Sequence, residues 1–378
     1  MSLTIDKKDF VGLLQKTFPM IPVRSTLQVL SNFRLVFDGS TLEAHATDLD
    51  HSIKAKTPAG GEEPFDVAVN ARKLFDIARE LPEGEVRIKV NENVVLIESS
   101  REFSCRIAGS EPHDFPTFPD ISEKVSLRLS VPVVAQTISK SSFAVSRDDS
   151  RPSLCGVLWE VDATKMGMVA TDGHRLGSSF VSGNFGVDSK ITCIVSPKSL
   201  VQVAKTMGEA ENGEMTVTIG ERYVLFDNDH VQLCSKLIEG TYPDYTKAIP
   251  KENPKKAVVK RAALVEAVKR VSILASQKNN LVKFEFNPGK LELVVSNTDI
   301  GGEAREELDV QYDADNHAIG FNAHYLGEML GIIEAAEVRF EMNTQISACL
   351  LFPVFDDTEE PTTEDLFLIM PLRIVDEG

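Results

Sequence analysis

The chain has 378 residues, 42% of them hydrophobic, which is enough for two or three folded domains with their own cores. Five widely spaced cysteines without a CxxC pair favour reduced thiols over a disulfide framework or a zinc site. The sequence has neither an apolar leader nor a membrane-length apolar run, so we expect a cytoplasmic protein. The net charge of −17, taken alone, argues against nucleic-acid binding, but the distribution of charge matters more than its sum.

Six segments have the apolar spacing of amphipathic helices, and they form two sets of three. The first set comprises DKKDFVGLLQKTF from Asp6, VPVVAQTISKSS from Val131 and RAALVEAVKRVSIL from Arg261. Apolar residues at i and i+4, such as Phe10 and Leu14, place one face of each helix against a core.

The second set of helical segments follows capping residues that are spaced by 126 and 126 residues. Asn and Ser suit an N-cap because a side-chain oxygen accepts hydrogen bonds from the free amides of the first turn. The capping residues are Asn70, Ser196 and Asn322, and the first core-facing leucines behind them are Leu74, Leu200 and Leu326. The equal spacing predicts three copies of one unit.

A β-prone run also ends in Thr-Asp three times, at Asp48, Asp172 and Asp299, with spacings of 124 and 127 residues. An Asp side chain in this position can bond nearby backbone amides and close a turn. Other short β-like runs fill each copy, so every copy is an α+β unit of two helices and many strands. We predict domains over 1–124, 125–253 and 254–378, with boundaries in Pro- and charge-rich joins.

The middle turn, VATDGHRLGSS, has the residue types of an active site, because Asp172, His174 and Arg175 stand together. A hydrolase that uses Cys155, His174 and Asp172 is therefore an alternative. Recurrence of Thr-Asp in all copies favours a structural turn, and the sequence contains no GxxxxGK[ST], HExxH or GxGxxG opening a helix. We expect no enzyme activity, no catalytic residues, no metal and no cofactor.

Positive charge concentrates in the helical segments of this acidic chain. Residues 6–18, 70–81, 131–142, 196–208, 260–274 and 322–335 hold 13 Lys and Arg against 7 Asp and Glu. For any one helix, a solvent-exposed face explains the basic residues. Because the six helices together carry an excess of basic residues, they suggest a surface that contacts phosphate.

The chain resembles the bacterial β sliding clamp family, the processivity subunits of the replicative DNA polymerase III. The matching stretches are VNARKLFDIARELPEG, RPSLCGV, VATDGHRL, SKLIEGTYPDY, FNAHYLGEML and FLIMPLRI. The resemblance implies a head-to-tail homodimer that closes into a ring, with helices lining the hole and sheets outside. Such a clamp encircles duplex DNA, slides without sequence specificity and tethers its partners. A repeat-built interaction scaffold without DNA in the ring is a second alternative.

The resemblance also implies three sets of site residues. DNA-facing residues are expected to be Lys8, Arg24, Arg72, Lys73, Lys140, Lys198, Lys205, Lys269 and Arg270. A pocket for partner peptides is expected to involve Leu154, Thr171, Gly173, His174, Arg175, Leu176, Pro243, Lys247, Ala248, Leu368, Met370 and Leu372. The dimer interface is expected to pair Phe103 and Cys105 of one chain with Ile273 and Leu274 of the other.

The expected partners are double-stranded DNA, the polymerase III catalytic subunit, an ATP-driven clamp loader, and other polymerases and repair proteins that carry clamp-binding peptides. Their peptides are short, hydrophobic and contain glutamine. The chain departs from better-known members at Thr246, Lys247 and Ala248, and at Asn279 on the pocket rim. It also has a long acidic segment over 353–365 and four extra residues, Val375 to Gly378. These departures bear on peptide preference rather than on the fold.

Overall fold

The computed structural model describes residues 1–99, 103–208, 213–355 and 361–374. Within them, one order of elements occurs three times: a strand, a helix, a group of strands, a second helix and three strands. The predicted α+β repeat is therefore confirmed.

The first copy contains helices α1 (Lys7–Thr17) and α2 (Ala71–Glu80). Its strands are β1 (Ser2–Asp6), β2 (Asn32–Phe37), β3 (Thr41–Thr47), β4 (His51–Pro58), β5 (Gly60–Gly61), β6 (Phe65–Asn70), β7 (Glu85–Asn91), β8 (Val94–Ser99) and β9 (Phe103–Ser110).

The second copy contains α3 (Val131–Ser141) and α4 (Pro197–Thr206). Its strands are β10 (Glu123–Ser130), β11 (Val157–Val161), β12 (Lys165–Thr171), β13 (Arg175–Ser182), β14 (Ile191–Val195), β15 (Glu214–Gly220), β16 (Tyr223–Asp227) and β17 (Val231–Lys236).

The third copy contains α5 (Arg261–Ser272) and α6 (Ala323–Ile332). Its strands are β18 (Lys255–Lys260), β19 (Leu281–Asn287), β20 (Lys290–Asn297), β21 (Gly302–Asp309), β22 (His317–Asn322), β23 (Glu337–Met342), β24 (Cys349–Val354) and β25 (Glu364–Ile369).

All six predicted helices are present, and the three with predicted capping residues, α2, α4 and α6, begin directly after those residues. Asn70 accepts a hydrogen bond from the Lys73 amide, and Asn322 accepts from the His324 and Tyr325 amides. Helix α4 begins directly after Ser196. The predicted core leucines at 74, 200 and 326 are each fully buried. Among the described residues, no helix has the length and apolar content needed to cross a bilayer.

The chain folds into two compact units, and the middle copy is shared between them. The first unit comprises 1–134 and 198–237, and it holds one thirteen-stranded sheet. In this sheet β17 of the middle copy pairs with β4 of the first copy, so the sheet continues from copy to copy.

The second unit comprises 135–197 and 238–378. It holds an eight-stranded sheet, in which β13 of the middle copy pairs with β25 of the third, and a four-stranded sheet ordered β21-β20-β19-β22. Its main core lies between helices α5 and α6 and one face of these strands. A smaller apolar cluster, which includes Leu176 and Leu368, lies on the opposite face of the eight-stranded sheet.

The Thr-Asp turns of the first two copies have the same construction. Thr47 Oγ1 donates to the His51 carbonyl at 2.8 Å, and Thr171 Oγ1 donates to the Arg175 carbonyl at 2.7 Å. The residue after each Asp has a left-handed backbone: Leu49 has φ of 79° and Gly173 has φ of 90°. In the third copy, the Asn297 side chain accepts from the Asp299 amide instead.

Replacing Gly173 with alanine should lower the free energy of unfolding by about 1 to 2 kcal/mol, because an L side chain is strained at this φ. Gly331→Ala, at an exposed helical position with open space around it, is the matched control and should stabilise the protein by about 0.5 to 1 kcal/mol. Urea unfolding of both variants checks the prediction, and equal effects would contradict the role of the turn.

Candidate functional site

The turn between β12 and β13 fixes its own Asp and presents the side chains after it. One Asp172 carboxylate oxygen accepts from the amides of His174 and Arg175, at 2.8 and 3.0 Å. The other oxygen accepts from Arg175 Nε at 3.1 Å. All these bonds use the carboxylate to hold the turn, so Asp172 is structural, as the repeat predicts.

Arg175 is buried, and it joins the turn to helix α6. Its guanidinium lies 4.4 Å from the Tyr325 ring centre and 5.4 Å from that of Phe143. It also forms ion pairs with Asp172 and Glu328. A charge held by two carboxylates and two aromatic faces is fixed in position, so Arg175 forms a rigid part of this surface.

His174 is exposed at the edge of the same surface. Its ring stacks against Tyr325 with centroids 6.4 Å apart, and its carbonyl accepts from the Met370 amide at 2.8 Å. Met370 follows the end of β25 and is 38% exposed. A turn, a helix and a strand end therefore bring His174, Tyr325 and Met370 together.

The segment 238–249, which contains the EGTYPDY stretch, covers the smaller apolar cluster. Ile238, Tyr242, Tyr245 and Ile249 pack against this cluster. The Tyr242 hydroxyl accepts from the Thr171 amide at 3.0 Å, and the Tyr245 hydroxyl donates to Glu160 at 2.9 Å. Burial raises the pKa of Tyr242 above its usual range, so this hydroxyl stays neutral. The two tyrosines fasten the segment to the sheet.

The remaining predicted pocket residues divide into a buried layer and an exposed rim. Leu176 and Leu368 are opposite each other in the β13–β25 ladder and are buried in the smaller cluster, and Leu154 is buried in a short 3-10 turn. The exposed members are Pro243, Lys247 and Ala248, and Leu372 is half-buried. The Leu372 amide donates to Gly320 at 2.8 Å. Strand β25 ends at Ile369, so Met370 and Leu372 lie beyond it.

Tyr325, Glu328 and Phe143 were not predicted as site residues, although each contacts Arg175. Tyr325 and Glu328 lie at helical spacing in the FNAHYLGEML stretch, so an i, i+3 pattern of polar and aromatic residues was the available signal. The contact of Tyr325 with Arg175, 150 residues earlier in the chain, has no local signal in the sequence.

The hydrolase alternative has no geometric support. The Cys155 thiol donates to the carbonyls of Asp148 and Arg151, at 3.4 and 3.7 Å. Burial and the neighbouring carboxylates of Asp149 and Asp148 raise the pKa of Cys155, which is the opposite of what a thiolate nucleophile needs. The Asp172 oxygens are already engaged by the turn.

Most of the predicted DNA-facing side chains are exposed, namely Lys8, Arg24, Arg72, Lys73, Lys198, Lys205, Lys269 and Arg270. Some have local ion-pair partners: Lys198 Nζ lies 2.6 Å from Asp48, and Lys269 lies 2.9 Å from Glu266. Arg270 pairs with Glu306. Their role in binding DNA stays a prediction.

The prediction for Lys140 was wrong, because this side chain is buried. Lys140 Nζ donates to Asp365 at 2.6 Å and to Thr363 at 3.0 Å, and Ser179 donates to the second Asp365 oxygen at 2.7 Å. An amine enclosed in this way cannot reach phosphate. The bond also fixes the end of the acidic 353–365 segment to the second unit.

Lys140→Met should lower the free energy of unfolding by about 3 to 5 kcal/mol, because it leaves the Asp365 carboxylate buried without its cation. The double variant Lys140→Met with Asp365→Leu should recover much of this loss, since no uncompensated charge remains. Denaturant unfolding measures both, and a loss below 1 kcal/mol in the single variant would contradict the pair's importance.

The predicted interface residues lie beside strand edges that have no partner among the described residues. In β9, residues 103–108 pair with β8 alone, because β6 reaches only Gly109 and Ser110. Strand β21 is the outermost strand of the four-stranded sheet. Phe103 is 39% exposed and Ile273 79% exposed, while Leu274 packs on the core and Cys105 is half-buried.

Two of the sequence departures fall partly or wholly outside the described residues. These are 356–360 of the acidic segment and Val375 to Gly378. Asn279 is described: its backbone carbonyl accepts from the Asn322 side chain at 3.1 Å.

Three family models match the chain in succession. The models for the N-terminal, central and C-terminal domains of the DNA polymerase III beta subunit match residues 1–119, 128–244 and 246–370. The chain belongs to the DNA polymerase III beta subunit family. The resemblance inferred from the motifs is confirmed.

Relatives of this beta subunit align over nearly their whole length. The beta sliding clamp of Pseudomonas aeruginosa is 30% identical over 376 residues, which are 99% of this chain and 100% of the relative. A solved sliding clamp from Pseudomonas aeruginosa, bound to griselimycin, has a TM-score of 0.92 at 30% identity, with 99% and 100% coverage. One from Bartonella birtlesii, also bound to griselimycin, has a TM-score of 0.91 at 29% identity and the same coverage.

Proposed function

We propose that this chain is a DNA sliding clamp: two copies close head to tail into a ring that encircles duplex DNA and tethers the replicative polymerase and other partners. The observation that carries the proposal is the succession of three beta subunit domains, matched over 1–119, 128–244 and 246–370, together with the threefold repeat of elements. Two chains with three similar domains each supply six domains. In this proposal the protein acts in the cytoplasm and catalyses no reaction.

The charge distribution supports helices that face DNA. The six helices in the described part of the chain carry 12 Lys and Arg against 5 Asp and Glu, within a chain of net charge −17. A weakly positive lining attracts the phosphate backbone without reading bases, and weak contacts allow sliding. A closed ring is retained by topology, so it needs little contact affinity.

Retention on DNA should depend on DNA ends. After loading by an ATP-driven clamp loader, the protein should stay on nicked circular duplex through gel filtration in high salt, and it should be lost on linearisation. Linear duplex with protein-blocked ends is the matched control and should retain it. Equal retention on open linear and circular DNA would show binding by affinity and would contradict a ring.

The surface around His174 and Met370 is the proposed docking place for partner peptides. It combines exposed apolar groups with a rigid arginine, and apolar contacts of this kind, adaptable through Met, suit a short hydrophobic peptide. The limits of the three domains, 1–124, 125–253 and 254–378, are part of the same proposal.

Met370→Ala and Leu372→Ala should each weaken binding of a short hydrophobic peptide containing glutamine by about 5- to 30-fold, because each removes apolar contact from the surface. Fluorescence polarisation with a labelled peptide measures this. Lys165→Ala, at the far end of β12, is the control and should bind as the parent does. Unchanged affinity in both pocket variants would place the peptide elsewhere.

A further inference from the structure

We infer that the first compact unit carries a further docking site: a basic groove beside helix α1 that takes an acidic peptide segment of a partner protein. This inference goes beyond the proposed clamp function and does not depend on ring closure. It comes from comparing the two internal joints of the chain, where β17 pairs with β4 in the first unit and β25 pairs with β13 in the second.

The groove lies between α1, the end of β4 and the turn that precedes β17. It encloses about 380 Å³, which is within the range of small-ligand pockets. The Lys56 amide donates to the His230 carbonyl at 2.9 Å, so the strand and the turn are joined at this wall. Residues that line the groove include Lys8, Gly12, Lys16, Lys56, Asn228 and Val231.

The first helices of the two joints, α1 and α3, correspond residue by residue. The hydroxyls of Thr17 and Ser141 each donate to the carbonyls three and four residues back, which marks the same position at the end of both helices. Counting back from this position pairs Lys16 with Lys140 and Gly12 with Gln136.

The strands of the two joints correspond as well. Val231 is opposite Ala55 in the β17–β4 ladder, and Asp365 is opposite Ser179 in the β25–β13 ladder. Ala55 and Ser179 each follow the Asp of their Thr-Asp turn by seven residues. The equivalent positions are therefore Val231 and Asp365 and, three residues earlier, Asn228 and Thr362.

In the second unit, side chains at these positions bridge α3 and the segment that leads into β25. Lys140 Nζ donates to Asp365 at 2.6 Å. The Thr362 hydroxyl donates to the side-chain oxygen of Gln136 at 2.7 Å. A carboxylate, a hydroxyl and an amide thus fill the space between helix and strand.

The first unit lacks the side chains that would form these bridges. Gly12 stands in place of the glutamine, and Val231 stands in place of the aspartate. A Cβ built on Gly12 would meet no atom within 4 Å, so the space beside the helix is open. The groove therefore occupies the place that side chains fill in the second unit.

The groove combines basic and apolar parts. Its three lysines face a single carboxylate, that of Asp9, among the described lining residues. In a chain of net charge −17, this local excess of positive charge attracts carboxylates. The buried side chains of Leu13 and Val231 form part of the apolar lining.

These features favour a peptide over nucleic acid. The second unit shows that a carboxylate suits the lysine at this position, and a charge-assisted hydrogen bond of this kind is among the stronger ones. An apolar side chain beside the carboxylate would cover the apolar lining, whereas a phosphate backbone offers no such group. The described lining residues also include no Phe, Tyr or Trp ring on which an unpaired base could stack.

Fluorescence polarisation tests the groove with a fluorescein-labelled peptide that has a central leucine between two pairs of glutamates. The parent should bind it with a Kd on the order of 100 μM, and the same peptide with glutamines in place of the glutamates should not bind. Gly12→Gln should weaken binding by about 5- to 30-fold, because its side chain would fill the groove. Lys56→Glu should have an effect of similar size, because it reverses one of the three basic charges.

Two matched variants control for the substitutions themselves. Gly331→Gln places the same side chain at an open position of α6, and Lys251→Glu reverses an exposed charge in the second unit. Both should bind the peptide as the parent does. Circular dichroism equal to that of the parent shows that each variant is folded.

Lysine acetylation, read by mass spectrometry, locates the peptide: the probe should protect Lys8 and Lys56 and leave Lys251 reactive. No binding by the parent at about 1 mM peptide, or equal binding by Gly12→Gln and the parent, would overturn the inference. Protection of the same lysines by a short DNA duplex but not by the peptide would assign the groove to nucleic acid and would overturn it too. Retention on circular DNA tests the proposed function separately, and none of these outcomes changes its result.

Discussion

The structure depends on the pairing of sheet edges at the joints between copies. A strand that leaves a Thr-Asp turn presents a row of backbone amides and carbonyls, and these need partners. In each unit such a strand finds its partner in the last strand of the following copy. Among the described residues, β21 of the third copy and residues 103–108 of β9 in the first copy each have one edge without a strand partner. In the proposed ring, the association of copies would give both edges a partner.

The same joints build the surface around Arg175. Because β13 and β25 pair there, the turn at Asp172 meets the end of β25, and α6 supplies Tyr325 and Glu328. At the other joint, Lys198 of α4 approaches Asp48, where His51 is the neighbour. Although burial raises it, hydrogen bonds from His51 and Lys198 hold the pKa of Asp48 far below its usual range. The joint between β4 and β17 thus has an ion pair at its Thr-Asp turn, whereas the joint between β13 and β25 has the exposed His174 and Met370 there.

The repeated elements could be predicted because they follow local rules. Periodic apolar residues predicted the six helices, Asn and Ser predicted the starts of three of them, and the Thr-Asp recurrence predicted the turns. The burial of Lys140 could not be predicted, since its partner Asp365 is 225 residues away. The division of the middle copy between two sheets also depends on strand pairing, for which the local pattern carries no signal. The left-handed backbone of Leu49 could not be predicted either, because the turn imposes a geometry that glycine adopts more readily than leucine.

Closure is the central claim, and sedimentation equilibrium tests it most directly. Head-to-tail contacts that close give one species, whereas contacts that fail to close give a growing series of oligomers. The account predicts a single species of twice the 41.6 kDa chain mass, unchanged across micromolar concentrations. A persistent 41.6 kDa species, or a mass that keeps rising with concentration, would contradict it.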